Sequence, residues 1–241
     1  MDFIKWQEEI LDMDKAKSLF VTGTGTDIGK TYITGLIIKK LNEAGIKSSY
    51  YKVAMSGNNR DSEGNLIPGD AYHVKKVSGI EQPLSEMSSY IYENAYSPHL
   101  AARIEGNPVN MDVVNNQYQE LQHKYEYITL EGSGGITCPI TFDNKELYLD
   151  DIVKSMNVPT IIIADAGLGT INYVVLTVSY MRQKDIPVKG IILNNYHKGN
   201  IMEEDNYKMC EHMTGIKVLA TVSEGDTDID IDLEVLQSLY E

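Results

Sequence analysis

The sequence predicts a doubly wound α/β fold, with a mostly parallel sheet and helices on both faces. Three observations predict it. Short β-branched runs alternate with helical patterns along the chain. Several of those runs, such as VPTIIIADAG, are apolar almost throughout, as in strands buried on both faces. A glycine-rich turn joins the first strand to the first helix, the usual place for a ligand-holding loop in such folds.

The elements follow in order. Residues 18–23, SLFVTG, read as a buried strand. Residues 29–45 read as a helix, with Ile33, Leu36, Ile37 and Leu41 on one face and Gly45 as its stop. Residues 47–54, KSSYYKVA, form the second strand. The stretch 54–69 is the longest polar loop, and it follows the carboxyl end of that strand. A helix over 111–125 feeds a strand over 126–132. LYLDDIVKSMN reads as a helix before the strand 158–167. NYVVLTVSYMRQKD is the next helix and 186–196 the next strand. A weak strand over 217–222 precedes an acidic tail helix. Repeats, low-complexity segments and long linkers are lacking, so residues 1–241 are expected to form a single domain. Residues 1–17 read as an acidic, amphipathic N-terminal extension, expected to be helical. The loops at 132–146 and 165–170 also follow strand ends, so they are expected to face the same crevice as the opening turn.

Composition narrows the function. A chain of 241 residues can close a core without staples. Its formal net charge of −14 excludes a broad nucleic-acid footprint and adhesion to anionic membranes. An anionic ligand must therefore be drawn by a local positive site. Cys138 and Cys210 offer no disulfide framework and no metal spacing, which points to a reduced, cytoplasmic setting. The start of the chain lacks the pattern of a signal peptide, and no run approaches the roughly 20 apolar residues of a membrane helix. The five histidines share no metal spacing.

Residues 20–32 read FVTGTGTDIGKTY. The common phosphate loop, G-x-x-x-x-G-K-[ST], asks for a glycine where Thr24 stands, between Gly23 and Gly25. Gly29, Lys30 and Thr31 fit the rest. Backbone N–H groups from Thr26, Asp27, Ile28 and Gly29 through to Tyr32, with the helix N-terminus, suit an anion. Lys30 can reach the β- and γ-phosphates, and the Thr31 hydroxyl can ligate Mg²⁺. The fold expected is therefore P-loop NTPase-like. Two carboxylates belong with such a loop. Glu131 ends an apolar strand before GSGG, and Asp70 opens a helix after the long polar loop. For Asp70 alone a helix N-cap is the alternative. Asp165, at another strand end, is a rival for the role of Glu131.

TGTGTDIGKT, KVAMSG, LEGSGG and LGTINYVVLT, in that order, together resemble the dethiobiotin synthetase family. The family loop, GTDT-x-x-GKT, carries the same departure from the strict phosphate-loop pattern. The resemblance spans about residues 19 to 196. It implies ATP- and Mg²⁺-dependent ring closure of diaminopelargonic acid with CO₂, through a carbamate and its anhydride with phosphate. By the same resemblance Lys52 and Ser56 match the lysine and serine of the family's K-P-V-A-S-G segment, with Val53 in place of the proline. Lys30 and Lys52 are then the catalytic cations. Thr31, Asp70 and Glu131 are the implied Mg²⁺ ligands. Gly132 and Gly134 are implied to border the nucleotide, and Gly135 the substrate. Asn194, with Asn195 beside it, matches a base-reading asparagine, although a turn is the alternative for both. The segment LATVSEGD lacks the family's Leu-Gly-x-Ile-Pro, and Val222, Ser223 and Glu224 are its aligned base contacts. Asn172 matches a region of two-fold dimer contact and substrate pocket, implying a homodimer. The alternative class is a switch ATPase of the partitioning or cell-division type. No lysine precedes Lys30 in the loop and no basic amphipathic tail is present, and both absences speak against it.

Overall fold

The computed structural model describes residues 15–143 and 145–241. Most of the N-terminal extension, residues 1–14, lies outside the described residues. The chain runs β1 (Lys17–Gly23), α1 (Lys30–Glu43), β2 (Ser48–Met55), α2 (Gly69–Ser78), β3 (Ser88–Ile91), α3 (Pro98–Glu105) and α4 (Met111–Lys124). It continues through β4 (Tyr127–Glu131), β5 (Pro139–Thr141), β6 (Leu147–Tyr148), α5 (Leu149–Met156), β7 (Thr160–Asp165) and α6 (Thr170–Gln183). It ends with β8 (Val188–Asn194), α7 (Ile201–Thr214), β9 (Val218–Val222) and α8 (Leu233–Ser238).

Seven strands form one sheet in the order β3-β2-β4-β1-β7-β8-β9. All of its pairings are parallel. The carboxyl ends of β1, β2 and β4 therefore share one rim. The chain winds from β1 toward the β3 edge and later, from β7, toward the β9 edge. This places the reversal at β1, where ligands of open α/β sheets bind. A small antiparallel pair, β5–β6, follows the β4 rim loop.

Both faces of the sheet are covered. On β1, Phe20 packs on one face with Leu121, Ile152, Val174 and Met181 of α4, α5 and α6. Leu19 and Val21 pack on the other with Ile33, Leu36 and Ile37 of α1 and Leu236 of α8. The two-residue period of a strand explains the split. Burying each such side chain contributes about 2 kcal/mol. A third cluster joins Ile38 of α1, Tyr50 and Met55 of β2, and Val74 of α2. It fixes α2, and so Asp70, against the sheet.

Five elements were not legible in the sequence, among them β5, inside the expected loop 132–146, and β6, at the start of an expected helix. β3 is a four-residue edge strand, half of it only partly buried. α3 is eight residues long. The buried residues of α7 are Glu203, Asn206, Cys210 and Thr214, which give little apolar periodicity. Its N-cap was visible in principle, since the Asn200 side chain accepts from the Met202 and Glu203 amides. The predicted helix LYLDDIVKSMN loses its first two residues to β6. The Asp151 carboxylate accepts from the Tyr148 amide at 2.9 Å and starts α5 there. No helix among the described residues is long and apolar enough to cross a membrane.

Candidate active site

The turn between β1 and α1 is built to expose its backbone. Asp27 has φ 57° and Gly29 has φ 90°, both left-handed. At Gly29 a Cβ would lie 2.1 Å from Asn194 Nδ2, so both conformation and space demand glycine. A Cβ at Gly25, by contrast, would meet nothing within 4 Å. This tolerance fits a loop that departs from the strict spacing at Thr24. The Lys30 ammonium arches back to donate to the Gly25 carbonyl at 2.6 Å. Burial, and then the nearby Lys52 charge, push the Lys30 amine down to about 8.

Beside this loop, β2, β4 and α2 bring three groups together. Lys52 Nζ donates to Asp70 Oδ2 at 2.6 Å and to Glu131 Oε1 at 2.8 Å. The Thr31 hydroxyl donates to the same Oε1 at 2.8 Å. The fully buried Tyr50 hydroxyl donates to Glu131 Oε2 at 3.0 Å. Burial works against the Lys52 charge, but Glu131 and Asp70 outweigh it and hold the ammonium above its ordinary range. Two carboxylates thus face two ammonium groups in a cleft of about 670 Å³. That volume suits a small-molecule site.

The donor set can be judged against Mg²⁺. Thr31, Asp70 and Glu131 offer hard oxygens, and the Lys52 ammonium between the carboxylates shows that the spot attracts a cation. Among the described residues no cluster of three or more His, Cys, Asp or Glu side chains forms a metal cage. A nucleotide-borne Mg²⁺ needs only one or two carboxylates beside phosphates and water, so the residues fit it.

The structure sorts the other predicted residues. Thr26, Asp27, Ser56 and Gly134 line the cleft. A Cβ at Gly135 would lie 3.4 Å from the Gly23 carbonyl, so this loop rests on the phosphate loop. Gly132 answers a different need, because a Cβ there would meet Leu149 at 2.7 Å and Phe20 at 3.1 Å. Asp70 is not the cap of α2. That position is Pro68, and Asp70 sits in the first turn with its carboxylate on Lys52. Asp165 is also engaged elsewhere. It accepts from the Gly167 amide at 2.8 Å and from Asn195 Nδ2 at 2.7 Å. Glu131, not Asp165, meets Thr31.

Asn194 lies under the loop, with Nδ2 donating to the Ile28 carbonyl at 3.0 Å. The Val222 side chain is fully buried in the core. The Ser223 hydroxyl donates to the Tyr196 carbonyl at 2.7 Å, and Glu224 is exposed. The Tyr32 hydroxyl donates to the Asp226 carbonyl, tying α1 to this late loop. Asn172 is exposed on α6, outside the residues that line the cleft.

Sequence reasoning missed the wall formed by Ala95, Tyr96, Ser97 and Pro98, at the start of α3. The signal was there: serine followed by proline marks a helix start. Cys138 also lines the cleft, and burial pushes its thiol up to about 11, which suits a packed thiol rather than a nucleophile.

A family described as "AAA domain" matches residues 17–227. The ATP-dependent dethiobiotin synthetase of Brachyspira hyodysenteriae is 47% identical over 94% of this chain and 100% of its own length. That of Clostridium perfringens is 45% identical over 92% of this chain and 97% of its own. Among solved structures, the MinC:MinD cell division complex of Aquifex aeolicus aligns with TM-score 0.55 at 14% identity, covering 93% of this chain and 86% of that one. A ParA family ATPase from Chlorobium tepidum aligns with TM-score 0.52, also at 14% identity, covering 93% and 89%. These two share the fold. The sequence relatives share nearly the whole chain, and by that measure this protein belongs to the ATP-dependent dethiobiotin synthetase family.

Proposed function

We propose that this protein closes the ureido ring of dethiobiotin from diaminopelargonic acid, CO₂ and ATP, releasing ADP and phosphate. The observation that carries the reading is the Lys52 ammonium held between Asp70 and Glu131, beside Lys30 and Thr31 of the phosphate loop. One amine of the substrate adds to CO₂ and loses a proton, giving a carbamate. A carbamate oxygen then attacks the γ-phosphorus and ADP leaves. The second amine attacks the carbonyl carbon, expels phosphate, and sheds its proton as the ring closes.

The difficulty is an anion attacking an anion, so cations must gather there. Lys52, which lines the cleft with Ser56, neutralises the carbamate. Lys30 leaves the Gly25 carbonyl for the β- and γ-phosphates. Phosphates would hold Lys30 charged against the burial that now lowers it. Mg²⁺, held by Thr31, Asp70 and Glu131 with phosphate oxygens, would neutralise charge on the triphosphate. Ser56 and the Gly135 backbone border the diamine.

A homodimer belongs to the same reading. Leu168, just before α6, is 87% exposed and Ile201, opening α7, is 85% exposed, and Tyr173 and Leu176 of α6 are exposed as well. A second copy covering this face would bury them and bring Asn172 toward a neighbouring cleft. Two free cysteines and ATP as co-substrate suit the cytoplasm.

The test is product identity. Protein supplied with the diamine, MgATP and isotopically labelled bicarbonate is expected to yield dethiobiotin carrying the label in its ring carbonyl. Unlabelled product, or none, would refute the reading.

A further inference from the structure

We infer that Tyr50 is a positioning residue that holds the Glu131 carboxylate in register with Thr31 and Asp70, and that Gln82 locks Tyr50 for that purpose. The inference rests on the reading of Glu131 as a Mg²⁺ ligand.

The Glu131 side chain is fully buried. A buried carboxylate is held in place by the donors that satisfy its lone pairs. Its Oε1 accepts from the Thr31 hydroxyl and from Lys52 Nζ. Both donors have work elsewhere in the reaction, Thr31 toward a metal and Lys52 toward the carbamate. The hydroxyl on Oε2 is different. Tyr50 donates to it at 3.0 Å from a fully buried position, and nothing in the chemistry claims that phenol. Its bond therefore persists when Oε1 exchanges its partners. It fixes which carboxylate oxygen faces the phosphate loop and how far the group can rotate.

Tyr50 is itself over-determined. β3 pairs with β2 from Lys52 onward, where Lys52 aligns with Ser88. Two residues earlier, at Tyr50, the buried side chain of Gln82 takes the place of a strand. Its Oε1 accepts from the Tyr50 amide at 2.8 Å, and its Nε2 donates to the Tyr50 carbonyl at 3.0 Å. The phenol ring packs with Ile38, Met55 and Val74. Backbone and ring are both pinned, so the hydroxyl is delivered to one point. The neighbouring Tyr51 hydroxyl serves another purpose, meeting Ser89.

Tyr50→Phe removes the hydroxyl and keeps the ring. Loss of such an outer partner typically weakens metal affinity or activity by about 10- to 100-fold. Binding of a non-hydrolysable ATP analogue is measured across a Mg²⁺ titration, with turnover measured in parallel. The Mg²⁺ concentration that half-saturates the tightening of the analogue is expected to rise at least about tenfold in Tyr50→Phe. Binding of the analogue without Mg²⁺ is expected to stay as in the wild type, and so is all behaviour of Tyr51→Phe. A purely structural role would move metal-free binding as well. A wild-type Mg²⁺ titration in Tyr50→Phe would overturn the inference. If Tyr50→Phe does not fold, Gln82→Met, which frees the Tyr50 backbone and spares the phenol, is expected to raise the Mg²⁺ requirement in the same direction, and an unchanged requirement there would overturn it. Failure of the wild-type protein to make dethiobiotin is a separate result that strikes the proposed reaction, because the analogue titration reads Glu131 without turnover.

Discussion

Asn194, at the end of β8, donates its side-chain amide to the Ile28 carbonyl of a loop 166 residues earlier in the chain. The side chain is buried, and it occupies the space that a Cβ on Gly29 would need. Supporting the phosphate loop and reading the base are separable roles for it. Asn194→Ala is expected to weaken binding of ATP, CTP and GTP alike and to lower stability by about 1 kcal/mol. A change in preference among the three nucleotides would assign it to base recognition instead. Gly29→Ala is expected to abolish nucleotide binding, which a direct titration would read.

Lys52→Ala leaves Glu131 buried without its ion-pair partner. Removing one member of such a pair costs about 3 kcal/mol or more, so the variant is expected to melt well below the wild type. It is expected to lose dethiobiotin formation while keeping Mg-dependent nucleotide binding, because Thr31, Asp70 and Glu131 remain. Normal turnover by this variant would remove Lys52 from the chemistry.

The Lys30 amine is lowered from its ordinary 10.5 to about 8 in the free protein, by burial first and the Lys52 charge second. Below about pH 8 it is charged with or without ligand. Above that it is neutral until phosphates recharge it. Affinity for ATP is therefore expected to be full below pH 8 and to fall as pH rises through it, with proton uptake on binding. Calorimetry in buffers of different ionisation enthalpy reads that uptake directly. Lys30→Arg is expected to abolish it. The same shift has a stability consequence with a definite sign. The unfolded chain holds this proton up to about pH 10.5 and the native protein does not, so this group's contribution to stability grows between pH 8 and 10.5.

Leu176→Asp places a charge on the exposed apolar face of α6. Sedimentation is expected to show a dimer in the wild type and a monomer in this variant. A wild-type monomer, or a dimer indifferent to the change, would place the contact elsewhere.

The sheet was legible because its strands announce themselves. β1, β4, β7 and β8 are apolar on both faces, and α1 keeps Ile33, Leu36, Ile37 and Leu41 on one side. The phosphate loop, Asp70 and Glu131 were legible because each lies at a strand or helix end beside a motif, whereas Lys52, inside β2, was reached only through the family resemblance. The fold brings them within hydrogen-bond distance. What stayed hidden depends on contacts between distant segments. Nothing local in YYKVAM says that the Tyr50 phenol crosses to Glu131 while Tyr51 turns to Ser89. The engagement of Asp165 by Asn195 was hidden for the same reason. β3 and α3 were hidden because they are short and lie near the edge of the sheet.

The central claim is that the Lys52 cluster couples ATP cleavage to ring closure. Its most direct test is release of inorganic phosphate from MgATP with and without diaminopelargonic acid plus bicarbonate. Phosphate release that requires the diamine, matched mole for mole by dethiobiotin, is the predicted result. Phosphate released at the same rate without the diamine would contradict it and return the protein to the switch ATPases whose fold it shares.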